Sequence, residues 1–502
     1  MTELAVQHTS RTHHFLPDVF NHEAAKVPPV PYKLSEQKRA KRQSLYQEHY
    51  ARQIRNVRYY FQLKHHDVAN ACLDVLLDLK KGKIRKDGYT PDYGHEMDLL
   101  LSCISDIENG HIDMYSVEEK YGSLESLLIS AISHDLGEDF GLMPEDYKAL
   151  VNKKLKQNIG EERISDAHIG LICRGAESME RLTHDRHYSI DEFVEKFGRE
   201  FEKQYGYTLD IPAPQLGQLI DLSDDIKDFL KEKMGELPGA PKKLSKNFQA
   251  FLVKDKKGNP RITVTRYGKD KDDGWGACWD AYSEGFMSDP YDATVKFEDS
   301  ANGMTSRIAI ESFTADGGNR YLRKRAQTFK LNRATRRMMS KYPELASNFK
   351  SIGDMMGIAY SVVRILLNHD PRMNDNGESG FSAKNLARDE NGLIYIDWKD
   401  YPERAFDSYA LVPGLSNPVA RLMRQYKDVV GFYKDADHPW SKSVSFLHKQ
   451  TRGLFIRDCK NGCLKNGLNI RDLVDKPETV DPFPKIFEKY GFKHPDLTPA
   501  LD

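Results

Sequence analysis

Apolar residues that return every three or four positions dominate the chain from about Ser44 to Leu230, and that spacing commits the stretch to amphipathic helices packed on one another. Ala69, Leu73, Leu76 and Leu77 mark one such face, and Leu99–Ile107, Leu124–Ile132, Ile164–Leu182, Ile190–Tyr205 and Leu216–Leu230 repeat the pattern. The spacing predicts an all-helical domain over about 46–235. Residues 1–45 read as an extended N-terminal arm, because Val27-Pro-Pro-Val-Pro31 and a shortage of large apolar residues offer little to pack. Ten Lys/Arg against five Asp/Glu over residues 1–60 make this arm mildly basic, as a solvated tail or a docking segment is.

The texture changes after Met234-Gly-Glu-Leu-Pro-Gly-Ala-Pro241, whose two prolines and two glycines predict a linker. Beyond it, 242–502 reads as an α+β region. Phe248–Val253 and Arg261–Tyr267 flank Lys256-Lys-Gly-Asn-Pro260 and predict a β-hairpin. Val295 and Phe297 alternate with Thr294, Lys296 and Glu298 ahead of Asn302-Gly303, which predicts a second hairpin. Helical texture is expected over 319–368 and a short strand over Leu393–Trp398. The fold class expected is therefore mainly α: a helical domain followed by an α+β region.

Composition narrows the class of function. No apolar run approaches the roughly 18 residues that a spanning helix needs. Lys+Arg (74) and Asp+Glu (75) nearly cancel, so attraction to nucleic acid or acidic lipid has to come from a local patch. Six cysteines in 502 residues are too few for a disulfide scaffold, and Met1–Pro17 has no continuous apolar stretch of the secretory kind, so a cytoplasmic setting with free thiols is expected. Cys459 and Cys463 lack the second Cys/His pair of a structural zinc site.

His-Asp occurs four times, at 66–67, 134–135, 184–185 and 369–370, so context has to choose among them. His134-Asp135 ends the strongly apolar Leu124–Ile132 and precedes Leu136-Gly-Glu138-Asp139. A buried helix ending in a histidine and three acids is costly unless those groups are paired, and a divalent cation is the simplest partner. The remaining ligands are expected from His95, just ahead of Leu99–Ile107, and from Asp224 in Leu219-Ile-Asp-Leu-Ser-Asp-Asp-Ile226. Two imidazoles and two carboxylates suit Mn²⁺, Fe²⁺ or Mg²⁺ with positions left for water and phosphate oxygen. The other three His-Asp pairs are read as structural.

The order His95, His134-Asp135, Asp224 resembles the H…HD…D pattern of the HD-domain metal-dependent phosphohydrolases. Lys80-Lys-Gly82-Lys-Ile-Arg85-Lys86-Asp-Gly88 is similar to the HxGQxRxSG segment ahead of the first metal histidine in RelA/SpoT-type (p)ppGpp hydrolases, with Lys80 and Lys83 where that family has His and Gln. His134-Asp-Leu-Gly-Glu138-Asp139 resembles their HDxxED, and Asp224-Asp-Ile-Lys-Asp228 their DxxxN with Asp for Asn. The likeness covers about 65–232, and the segment between His95 and His134 is longer than in the family.

The resemblance implies a role for each residue. His95, His134, Asp135 and Asp224 hold one divalent ion, Mn²⁺ first among the choices, and Glu138 with Asp139 handle the proton of the attacking water or the leaving group. Arg85 stacks on a guanine base, Lys83 and Lys86 meet phosphates, Asp228 contacts ribose, and Thr183 lines the pocket. The activity implied is release of pyrophosphate or phosphate from a guanosine-type nucleotide such as (p)ppGpp. Hydrolysis of another nucleotide, a dNTP or nucleoside monophosphate, stays open, as does a nucleotide-sensing protein that binds RNA without turnover.

Residues 319–341 carry nine Lys/Arg, no acid, and Tyr321 and Phe329 interleaved, a composition able to meet RNA, an acidic protein surface or the chain's own acidic 221–228. Met338, Met339, Met355 and Met356 read as core filler. Long alarmone enzymes carry a synthetase domain downstream, but Asp354-Met-Met-Gly357-Ile-Ala359 has alanine where its DxxGxR motif needs arginine, and no ExQ segment follows. The 242–502 region is therefore expected to be regulatory or partner-binding.

Overall fold

The computed structural model describes residues 35–85, 88–140, 142, 144–183, 185–210, 220–233, 249–254, 260–265, 283–306, 331, 334–353, 356, 386–388, 394–396, 469–476 and 480–492, with a few single positions between 423 and 452. The described chain is mainly helical. Residues 1–34, Lys86, His184, the 234–241 linker, Cys459, Cys463 and most of the basic 319–341 segment lie outside the described residues, as do Asp354, Met355, Ala359 and His369.

Eight helices come first: α1 (Glu36–Lys64), α2 (Asp67–Lys80), α3 (Gly94–Glu108), α4 (Met114–Tyr121), α5 (Glu125–Ser133), α6 (Leu136–Phe140), α7 (Pro144–Ile159) and α8 (Asp166–Leu182). The first begins nine residues before the arm was expected to end, because the Ser35 hydroxyl accepts from the Lys38 N–H and caps it. Its inner face is aromatic, with Tyr46, Tyr50, Tyr60 and Phe61 buried. Below it α5 is enclosed on every side, and Leu127, Leu128, Ile129 and Ile132 are fully buried. Each such side chain contributes roughly 1.5–3 kcal/mol, which offsets the cost of holding the polar end of this helix in the interior.

The helical layer does not stop at residue 235. Pro290–Ser306 forms a further helix packed against α3, α5 and α8, in place of the expected second hairpin. Tyr291, Ala293, Val295, Phe297 and Ala301 are all buried, as are all residues of 290–303 but the half-buried Lys296, so its apolar residues mimic strand alternation. Two of its polar residues are matched by other helices: Asp292 accepts from Ser130, Ser178 and Arg181, and Asn302 donates to Ser102 at 3.2 Å. Leu345, Phe349, Ile352, Met338 and Met356 extend the same core, as do Phe483, Ile486 and Phe487 near the C terminus.

Between α8 and that helix the chain builds a separate unit. Strands β1 (Asp185–Ser189), β2 (Ile220–Asp221), β3 (Gln249–Lys254) and β4 (Pro260–Thr265) form an antiparallel sheet in the order β1-β4-β3-β2. The expected hairpin is β3–β4, registered Leu252 to Ile262. Residues 216–230, expected as one helix, contribute the short β2 and then α10 (Asp224–Lys233). That helix and α9 (Ile190–Tyr205) share an aromatic core of Phe193, Phe197, Phe201 and Phe229, with the Phe201 and Phe229 rings edge to face at 5.2 Å. β1 packs on α6, so this sheet unit adjoins the short helix that carries Glu138 and Asp139. A further two-stranded ladder pairs Leu386–Arg388 with Ile394–Ile396, within the strand expected at 393–398.

Candidate metal centre

Three segments deliver the polar side chains at the heart of the helical layer. Gly94 starts α3 in tight contact with Thr90 and Tyr50, where an added Cβ would lie 2.9 Å from Thr90 Cγ2, and the Tyr50 hydroxyl holds Asp98 at 2.8 Å. This fixes His95, the second residue of α3. His134 follows the last residue of α5 and stays in helical conformation, and the Asp139 N–H bonds the Asp135 carbonyl at 2.7 Å, so the chain turns directly from α5 into α6.

His95 Nε2 and His134 Nε2 lie 3.4 Å apart. Asp135 Oδ2 is 3.2 Å from His134 Nε2 and 3.7 Å from His95 Nε2. The fourth group is Asp299, on the 290–306 helix, whose Oδ1 is 3.2 Å from His95 Nε2 while Lys296 holds its Oδ2 at 2.9 Å. Asp299, not Asp224, is the carboxylate found beside His95. The Asp224 side chain is 95% exposed and, among the described residues, meets Lys227, one turn along its own helix, at 3.5 Å. A carboxylate so placed keeps its hydration and has no need of an ion.

The donor set fits a divalent cation. Metal–donor bonds of about 2.0–2.2 Å place adjacent donors roughly 3.0–3.6 Å apart; the ligand atoms of His95, His134 and Asp135 lie within 4.8 Å of one another, and Asp299 stands against His95 at 3.2 Å. His134 Nδ1 is 3.0 Å from the Ala131 carbonyl, which assigns the N–H to that nitrogen and leaves Nε2 with its lone pair toward the cluster. Two imidazole nitrogens and two carboxylates suit Mn²⁺ or Fe²⁺ better than the all-oxygen surroundings Ca²⁺ favours.

Charge within the cluster is tightly balanced. Burial alone lowers the His134 imidazole, but the Asp135 carboxylate, hydrogen-bonded to it, and the charges of Asp299 and Glu96 outweigh burial and raise it to about 9. Burial works to raise Asp135, but His134 and His95 hold it well below the usual carboxylate range. The surrounding carboxylates thus favour positive charge at His134 Nε2, whether a proton or a cation.

Beside this cluster lies an ion triad. Lys80, the last residue of α2, has a side chain only 2% exposed; its ammonium bonds Glu96 Oε1 and, at 2.7 Å, Asp139 Oδ2. Burial lowers this lysine, yet Glu96, Asp139 and Asp135 together raise it above its ordinary value, so it stays charged. Glu138 is half-buried on α6, and a third of the Asp139 side chain is exposed.

The residues expected at the substrate divide. Lys83 and Arg85 sit on the loop between α2 and α3, closed by Arg85 N–H to Thr90 O at 2.8 Å, with Lys83 Nζ 4.0 Å from the centre of the Phe140 ring. Thr183 is fully buried and donates to the Met179 carbonyl at 2.7 Å, and Gly137 packs against its hydroxyl. It packs under the Leu136-Gly137 turn. Asp228 is exposed on α10. Among the other His-Asp pairs, His66 lies 3.9 Å from Glu125 at the start of α2, a structural position.

Sequence reasoning missed Asp299, Glu96 and the pairing of Lys80. Ala293, Phe297 and Ala301 repeat every four residues and carry the helical signal that would have placed Asp299 beside a core face. No family model, no curated protein and no solved structure matches the chain.

Proposed function

We propose that this chain is a metal-dependent phosphohydrolase that releases phosphate or pyrophosphate from a guanosine-type nucleotide such as (p)ppGpp, as the HD-domain enzymes its motifs resemble do. The observation that carries this reading is the convergence of His95, His134 and Asp135, with Asp299 against His95, beside an acidic pair on α6. These four residues would hold one divalent ion, Mn²⁺ first among the choices. When bound, such an ion lowers the pKa of a water and polarises a phosphate oxygen.

The chain's own groups supply the rest. The Ala131 carbonyl and Lys296 orient His134 and Asp299 before any ligand arrives. Lys80 engages Asp139 Oδ2 and leaves Oδ1 as the atom to take the proton of an attacking water, with Glu138 one residue away to serve the leaving group. Arg85 offers a flat guanidinium to a base, and Lys83, beside Phe140 at the end of α6, brings positive charge to the phosphates. Lys86, next in sequence to Arg85, would add a further positive charge.

Among the described residues no helix is long and apolar enough to cross a membrane, which accords with the cytoplasmic setting we propose. The 242–502 region is taken as α+β and regulatory in part, with basic 319–341 the segment for RNA or an acidic protein. A nucleotide panel assayed with and without Mn²⁺ tests the activity. Release of phosphate or pyrophosphate from guanosine polyphosphates that depends on Mn²⁺ is expected. Nucleotide-dependent thermal stabilisation with no turnover would replace the enzyme by a sensor.

A further inference from the structure

We propose that the Lys80 ammonium is a built-in second cation of this centre, standing among Glu96, Asp135 and Asp139 where a second metal ion would otherwise bind, so that the centre takes one ion and not two. The inference rests on the metal reading above and deepens it. Glu96, Asp135 and Asp139 each bring a carboxylate oxygen within 4.8 Å of the others. Asp135 also belongs to the histidine cluster, and a carboxylate common to both groups is how paired ions about 3.5–4 Å apart are bridged. Between these acids stands an ammonium instead of an ion, bonded to Glu96 and, at 2.7 Å, to Asp139. Both the Lys80 and Glu96 side chains are essentially enclosed, at 2% and 0% exposure.

Glu96 Oε2 is buried and without a hydrogen-bond partner among the described residues, so one oxygen of this group remains as an unused donor. The position calls for positive charge, and lysine supplies one charge and three donors that no chelator removes. It fixes Asp139 whether or not the first ion is present, which makes Lys80 a positioning residue for the α6 acids. The unexpected lysine in the 80–88 segment thereby acquires a role.

Mn²⁺ alone is the probe. Titration of the full chain, read as bound metal per protein and by electron paramagnetic resonance, is expected to give one equivalent with the spectrum of an isolated ion. Lys80→Ala is expected to take up a second, weaker equivalent with the signature of two coupled ions, Lys80→Arg to return to one, and Lys80→Ala/Glu96→Gln to lose the second. Two coupled ions in the unaltered chain, or a folded Lys80→Ala that still binds only one, would overturn the role of Lys80 while leaving the metal reading intact. Failure of the unaltered chain to bind Mn²⁺ would overturn both. Should Lys80→Ala not fold, the spectrum of the unaltered chain at excess Mn²⁺ decides alone.

Discussion

Asp299 Oδ1 approaches His95 Nε2 to 3.2 Å although an entire sheet unit separates the two residues along the chain. The pairing is direct, and its other oxygen is tied down by Lys296, so Asp299 is held as a ligand is held and not as a surface acid. Losing groups that merely orient a metal ligand costs about 10–100-fold in metal affinity. Asp299→Ala, like His134→Ala and Asp135→Ala, is therefore expected to weaken Mn²⁺ binding by more than ~100-fold. Asp224→Ala is expected to leave it unchanged. Calorimetric titration with Mn²⁺ checks the contrast; equal losses for Asp224 and Asp299 would return the fourth position to α10.

In metal-free buffer the protein should become less heat-stable as the solution turns alkaline. The folded His134 imidazole is raised from 6.5 to about 9. A raised value means that its stabilising contribution is complete below about pH 6.5 and is lost as pH climbs through about 9. Saturating Mn²⁺ takes over from that proton and should flatten the decline. Melting curves across this range, with and without the ion, test it; parallel curves would remove the cation from the account.

Asp292 anchors the helix that delivers Asp299. Its carboxylate is 1% exposed and accepts from Ser130, Ser178 and Arg181, so Asp292→Ala takes the shared acceptor from two buried hydroxyls and leaves Arg181 with Asp289 and Glu177, each at 3.6 Å. Removing a buried acceptor in this way costs about 1–3 kcal/mol. Urea unfolding is expected to show that loss together with weaker Mn²⁺ retention. A stable variant with normal retention would separate the anchor from the centre.

An added methyl at Gly137 would lie 2.3 Å from the Thr183 hydroxyl and 3.5 Å from Met179 Cγ. Gly137→Ala is thus expected to destabilise by about 1–3 kcal/mol through overpacking. Gly137→Ala/Thr183→Ala should recover most of the loss, since the colliding oxygen is gone. Chemical denaturation of the single and double variants reads this coupling directly.

Arg85→Ala should weaken binding of a guanosine nucleotide about fivefold, roughly 1 kcal/mol of cation–π contact, with Mn²⁺ affinity unchanged. Unaltered nucleotide affinity would end the stacking role.

Much of the helical layer was legible because α2, α3 and α5 carry apolar faces too regular to mistake, and His95, His134 and Asp135 stood out as polar groups at the ends of buried helices. The β3–β4 hairpin was legible from its Lys256–Pro260 turn. The 290–306 helix was not. Buried on all sides, with Asp292 and Asp299 satisfied by partners far away in sequence, it lacks the two-faced pattern that marks a helix at a surface. Asp224 fits the H…HD…D order, yet the acids that crowd around it mark a hydrated face, and that is where it lies. The site was thus readable where ligands adjoin local hydrophobic order and hidden where the ligand arrives through long-range packing.

The sheet unit that divides the helical layer also sets an order of events during synthesis. A nascent chain exposes both histidines and the first carboxylate early and must wait through β1 to β4 before the last carboxylate emerges. If the proposed centre holds an ion, it would grip it only loosely until 290–306 seats against α3 and α5, and tight metal retention would then gauge that the late segment has docked.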